Sequence, residues 1–206
     1  MIGLLGRKKG MGAIYDVNGI QTPVTVIEAG PCPVVQTKPE DTKGRTSVQL
    51  GFESTGDKNM TKAKLGHLKK ANQKPLRFLR EFKDVDGNPD VGDILKVDVF
   101  NPGDLVDITG ISKGRGFTGV IKRYGFNQPP MTHGTHESYR GGGSIGAASY
   151  PARVWPGLKM AGRMGGENVT VKNLTVIKID LEKGLLVVKG AVPGAAGGLV
   201  VIRKND

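Results

Sequence analysis

The chain has 206 residues, 37% of them hydrophobic, and carries 30 lysines and arginines against 19 aspartates and glutamates, a formal net charge of +11. That length and apolar content allow one good-sized core or two small ones, and a positive field of this size draws polyanions or anionic surfaces as partners. A single cysteine excludes an internal disulfide, and with no run of about 20 apolar residues, nor one of signal-peptide length, the chain is expected to be a soluble protein that stays inside the cell.

The start, MIGLLGRKKGMG, is basic: Arg7, Lys8 and Lys9 stand without an acid, and all three are candidates for phosphate contact. Short apolar and β-branched runs follow, GAIYDV, PVTVIEAG, PVVQT and SVQLGF, and later ILKVDVF and DLVDITG. They read as strands. Asn18-Gly19 and Asp86-Gly87 suit tight turns between them, as does Gly184 further on. Cys32, in GPCPVV, has no cysteine or histidine at zinc spacing, so it is expected to be a small buried apolar residue. Within 53–77 lies a basic helical subregion, with a short helix over GHLKKAN (66–72). Lys58, Lys62, Lys64, Lys69, Lys70, Lys74 and Arg77 gather there, opposed by Asp57; on charge alone, RNA contact and a solvated helix face are equally good readings.

SKGRGFTGVIKRYGF, residues 112–126, sets Gly114, Gly116 and Gly119 in the G-x-G-x-x-G spacing of a dinucleotide turn, after a strand-like run and before a helix. A dinucleotide-binding enzyme is the alternative this raises. That fold needs a long crossover helix, a second parallel strand and an acid at its end. Here the helix, expected over Thr118–Tyr124, stops at Gly125, and Pro129-Pro130 follows. No dinucleotide cofactor is therefore expected.

Residues 125–166 hold no sustained period of two or 3.6, and glycine recurs every few positions. Across 111–166, Lys113, Arg115, Lys122, Arg123, Arg140, Arg153, Lys159 and Arg163 face one acid, Glu137, and six of the chain's eleven aromatics lie there, including Tyr124 and Trp155. Cations for phosphates, rings for unpaired bases and glycines for close approach are what a segment lying along RNA needs. Gly142-Gly143-Ser144-Ile145-Gly146 matches a nucleophile elbow, yet His67, His133 and His136 all precede Ser144, the wrong chain order for that enzyme class. His133 and His136 lack a cysteine partner and have only Glu137 beside them, a poor zinc set; no catalytic residue and no metal site is expected. After 166, NVTVKNLTVIKID, GLLVVKGAV and GGLVVIRK read as strands again. The expected fold is mainly β, a closed or nearly closed antiparallel β-barrel with few short helices, discontinuous in sequence (1–110 and 167–206) and interrupted by a basic extension over 111–166.

MIGLLGRKKGMG, PVTVIEAGPCPVVQ, DITGISKGRGFTGVIKRYGF, THG, GSIG, KMAGRMG and LLVVKGAVPGAAGGLV, in this order over nearly the whole chain, resemble the bacterial type of the third large-subunit ribosomal protein. The resemblance implies a non-catalytic protein of the cytoplasmic ribosome. Its barrel would resemble that of translation elongation factors, and its partners would be large-subunit ribosomal RNA and neighbouring ribosomal proteins, with no homo-oligomer, membrane or small-molecule substrate. It also implies a role early in subunit assembly, an arm directed at the peptidyl-transferase centre, and no cofactor beyond Mg2+ held by the RNA. By position, Lys113, Arg115, Lys122 and Arg123 would contact phosphates at the base of the arm. His133, Arg140, Ser144 and Arg153 would lie along it, and Lys159 to Arg163 would lead back. The chain departs from the family where Tyr124 replaces a tryptophan and Gly142 a proline. In the tip SYPARVWPGLK, Ser149 replaces a glutamine that some members methylate, Pro156 and Leu158 replace basic residues, and Trp155 adds a ring.

Overall fold

A computed structural model describes residues 3–38, 46–83 and 89–205. The chain divides into two compact units, one made of residues 1–112 and 168–206 and one of residues 113–167. The first unit contains β1 (Gly3–Tyr15), β2 (Gln21–Ala29), β3 (Cys32–Lys38), β4 (Ser47–Ser54), α1 (Lys62–Lys70), β5 (Leu76–Lys83), β6 (Ile94–Leu95) and β7 (Leu105–Ile111). The second contains β8 (Phe117–Thr118), α2 (Val120–Tyr124) and β9 (Gly162–Arg163); β10 (Asn168–Asp180), β11 (Leu185–Lys189) and β12 (Leu199–Lys204) complete the first.

Six strands close the expected barrel in the order β1-β12-β7-β10-β11-β2. All of its pairings are antiparallel, and the seam joins the two ends of the chain, with Gly3 opposite Arg203 and Arg7 opposite Leu199. Leu4, Leu5, Ile27, Val106, Ile108, Leu186 and Ile202 are fully buried and pack in one cluster. At about 1.5–3 kcal/mol for each large aliphatic side chain removed from water, this cluster is the main source of the unit's stability. The barrel also explains the interrupted sequence. Ile111 and Asn168 are direct cross-strand partners on β7 and β10, so the chain leaves and rejoins the sheet at neighbouring points.

The structure departs from the sequence expectations in several places. PVVQT and SVQLGF do not join the barrel; β3 and β4 form a separate four-stranded sheet in the order β5-β4-β3-β6. β5 was not expected, because LRFLREFK mixes charge with apolar residues along an outer strand where only Leu76 and Phe82 are buried. ILKVDVF is not one strand: it pairs only at Ile94 and Leu95 and then turns through a short 3-10 helix over Val97–Val99. At Asn18-Gly19, only Gly19 takes positive φ, at 74°, and its N–H donates to Asp16 O at 2.8 Å. The Asp86-Gly87 turn lies outside the described residues. No helix among the described residues is long and apolar enough to cross a membrane.

α1 begins four residues before the expected helix and ends two before it, at Lys70. Its one buried residue, Leu68, joins Val35, Ala71 and Leu76, and the His67 ring nitrogen Nε2 lies 2.7 Å from Gln49 Oε1 of β4. This tertiary anchoring carries the helix through Gly66, an interior glycine that costs about 1 kcal/mol relative to alanine.

Cys32 is fully buried, with its thiol 3.4 Å from Leu5 O. Burial pushes the thiol up to about 12, so thiolate is scarce at neutral pH. Cys32 in the folded protein should resist iodoacetamide at pH 8 and react promptly once guanidinium unfolds the chain; prompt labelling of native protein would show that the core around Cys32 opens.

Candidate nucleic-acid interface

The second unit carries eight lysines and arginines against Glu137 and Glu167. Among its residues only Thr118 and Val120 are buried. One buried valine, worth about 2 kcal/mol, offsets the backbone ordering entropy of only one or two residues at ~1–2 kcal/mol each. Outside β8, α2 and β9 the segment is mostly exposed coil, bends and turns, with a 3-10 turn over His136–Arg140.

Its neck is a short antiparallel pairing. β8 pairs with β9, Phe117 opposite Arg163; Arg115 N–H donates to Met164 O at 2.8 Å, and Met164 N–H donates to Gly116 O at 2.9 Å. Gly165, at φ +75°, lies so close to Lys113 that a Cβ there would collide with the Lys113 carbonyl oxygen. The neck thus requires a residue without a side chain. Thr118 Oγ1 is buried with no hydrogen-bond partner.

Lys113, Arg115 and Lys122 project from this neck with exposed side chains. Arg123 behaves differently: its Nη1 donates to Met160 O at 2.8 Å, and its guanidinium lies 5.0 Å from the Tyr124 ring centre. The Lys159 ammonium lies 5.7 Å from the same ring. Arg123, Tyr124 and Lys159 are therefore brought together and tie α2 to the returning strand. Arg153 sits 4.9 Å from the Trp155 ring centre. α2 ends where expected, at Gly125 with φ 70°, but starts two residues late because Thr118 belongs to β8. A five-residue helix cannot be the crossover of a dinucleotide fold.

His133, Arg140 and Ser144 are exposed along the coil; Ser144 Oγ donates to Gly146 O at 3.1 Å in a local turn. Among the described residues, no three His, Cys, Asp or Glu side chains form a ligand set. Of the six aromatics expected to offer stacking faces, Phe117 is 80% exposed and Tyr150 83% exposed.

The amino-terminal cations sit in the other unit, on β1, and the strand separates them. Lys8 is 8% exposed, and its ammonium donates to Val192 O at 2.7 Å and Gly194 O at 3.1 Å. This gives Lys8 a structural role in place of the phosphate contact expected from its charge. Arg7 pairs with Glu53 at 2.6 Å and Lys9 with Glu28 at 2.7 Å. On α1, Lys62, Lys64, Lys69 and Lys70 are exposed and the helix contains no acid.

Comparison with known proteins matches residues 90–185 to the family described as Ribosomal protein L3. The chain is 51% identical over 203 residues to the large ribosomal subunit protein uL3 of Herpetosiphon aurantiacus, covering 98% of this chain and 95% of that protein. It is 50% identical over 202 residues to uL3 of Desulforudis audaxviator, covering 98% and 94%. Against the large ribosomal subunit protein uL3c of Cyanophora paradoxa it is 48% identical over 202 residues, covering 98% and 96%.

Proposed function

This chain belongs to the ribosomal protein L3 family, and from that membership we propose that it is a structural, non-enzymatic constituent of the large ribosomal subunit that binds large-subunit ribosomal RNA directly. The observation that carries the reading is the second unit: eight cations against two acids, on a segment with two buried residues. Such a segment has little interior of its own, so a polyanion that neutralises and encloses it supplies what its sequence omits. Folding of the arm and binding of RNA are then one event.

Lys113, Arg115 and Lys122 meet phosphates at the neck, where Phe117 offers a stacking face. Arg163 joins them from β9, and His133, Arg140, Ser144 and Arg153 with Trp155 continue the contact along the exposed coil and its 3-10 turn, while Arg123, Tyr124 and Lys159 hold the two limbs together. The arm reads RNA shape through the backbone more than sequence through base edges. It runs inward toward the peptidyl-transferase centre, beside neighbouring ribosomal proteins, and acts early in subunit assembly. The barrel, whose unit mixes cations with many acids, stays at the subunit surface.

The protein should co-sediment with large subunits and leave them only at high salt. For six or more phosphate contacts, its affinity for a large-subunit ribosomal RNA transcript should fall by about a thousandfold or more between 50 and 200 mM salt. A flat salt response would overturn the phosphate-binding role.

A further inference from the structure

We propose that α1 presents a second RNA-backbone contact, centred on Gly66, in which the missing side chain lets a phosphodiester strand lie against the helix. The inference rests on the RNA-binding reading above and adds a surface, a face and a central residue to it. The helix sequence is KAKLGHLKK, with no acid. At about 3.6 residues per turn, Gly66 and Lys70 point away from Leu68, and Lys62 and Lys69 flank them on one side. Lys64 falls on the Leu68 side, where it borders a cavity of about 430 Å³ together with Glu53, Met60 and Arg77. The lysines of α1 therefore divide: Lys62, Lys69 and Lys70 surround Gly66 on the solvent face, and Lys64 does not.

Nothing within the fold requires a glycine at position 66. Its φ lies outside the left-handed region, and a Cβ added there would meet no atom within 4 Å. Gly165 differs, because its glycine is demanded by the Lys113 carbonyl. An interior helical glycine with open space and ordinary backbone angles weakens the helix without internal benefit. An external backbone at close range accounts for it, and three cations with no acid on α1 select a polyanion as that backbone.

The test is binding of the full chain to a large-subunit ribosomal RNA transcript, with thermal melts in parallel. Gly66→Gln should bind about 25-fold more weakly or worse, since holding the strand off the helix costs two or more lysine–phosphate contacts at about fivefold each. Gly66→Ala should melt at or above the wild-type temperature. Gly12→Gln, at an exposed β1 glycine whose Cβ is equally unobstructed, should bind like wild type. Should Gly66→Gln melt early, Lys62→Gln and Lys70→Gln must each weaken binding clearly more than Lys64→Gln does. Wild-type affinity in Gly66→Gln, or equal effects of the on-face and off-face lysines, overturns the contact while leaving the arm's role intact. Unchanged RNA affinity with impaired entry into subunits would assign the face to a protein neighbour, which also overturns it. Failure of the wild-type chain to bind the transcript would remove the RNA-binding reading itself.

Discussion

Replacing Lys113, Arg115 and Lys122 together with glutamine should lower affinity for large-subunit ribosomal RNA by roughly a hundredfold near 0.15 M salt, while the protein melts within a degree or two of wild type. The magnitude follows from counterion release: each phosphate contact contributes a salt slope of about 0.7–0.9, or nearly fivefold in affinity at that ionic strength. The log–log salt slope should fall by about two to three in the same experiment. Stability should hold because all three side chains are exposed and none has a hydrogen-bond or ion-pair partner among the described residues. Arg123 is left out deliberately. Its guanidinium holds Met160 O and lies on Tyr124, so its loss would loosen α2 from the returning strand and confound the result. Filter binding across a salt series, with calorimetry of the free variant, separates the two effects. Wild-type affinity in the triple variant would move the contact surface away from the neck.

Lys8→Met should destabilise the protein by about 2–4 kcal/mol, because it keeps the aliphatic stem and removes the donor that Val192 and Gly194 carbonyls share. For a chain of this size that is a fall in melting temperature of roughly 5–12 °C. The main chain reinforces the same junction: Lys8 N–H donates to Gly198 O at 3.0 Å, and Gly197 N–H donates to Lys8 O at 2.7 Å. Lys8 thus clamps the loop between β11 and β12 at the barrel seam where β1 and β12 meet. Arg7→Met and Lys9→Met remove half-exposed ion pairs with Glu53 and Glu28, which are worth only about 0–1 kcal/mol. Thermal melts of the three single variants at low salt should rank Lys8 far ahead of the other two. Equal, small losses would mean that the Lys8 ammonium reaches water.

Arg7, Lys8 and Lys9 show where one-dimensional reading stops. Three adjacent cations look alike as charge, yet β1 buries Lys8 and leaves Lys9 exposed. Its register against β2 shifts between Lys8 and Gly10, an irregularity that no strand period in the sequence announces. LRFLREFK hid β5 for a related reason, since an outer strand with Leu76 and Phe82 buried and charges elsewhere lacks the apolar run that marks a central one. α1 extended past its expected start because Leu68 and His67 anchor it through contacts on β3, β4 and β5, which no local window contains.

Local chemistry by itself determined that this chain is mainly β, that a glycine-laden limb almost without acids interrupts a body of mixed charge, and that a polyanion is the partner, because strand periodicity, turn residues and charge are written in neighbouring positions. Only the tertiary structure decided which strands close the barrel, that Ile111 and Asn168 meet where the limb departs, and which cations are engaged within the fold. Those outcomes depend on contacts between residues far apart along the chain, such as Lys8 with Val192, and their energies exist only once folding has brought the partners together.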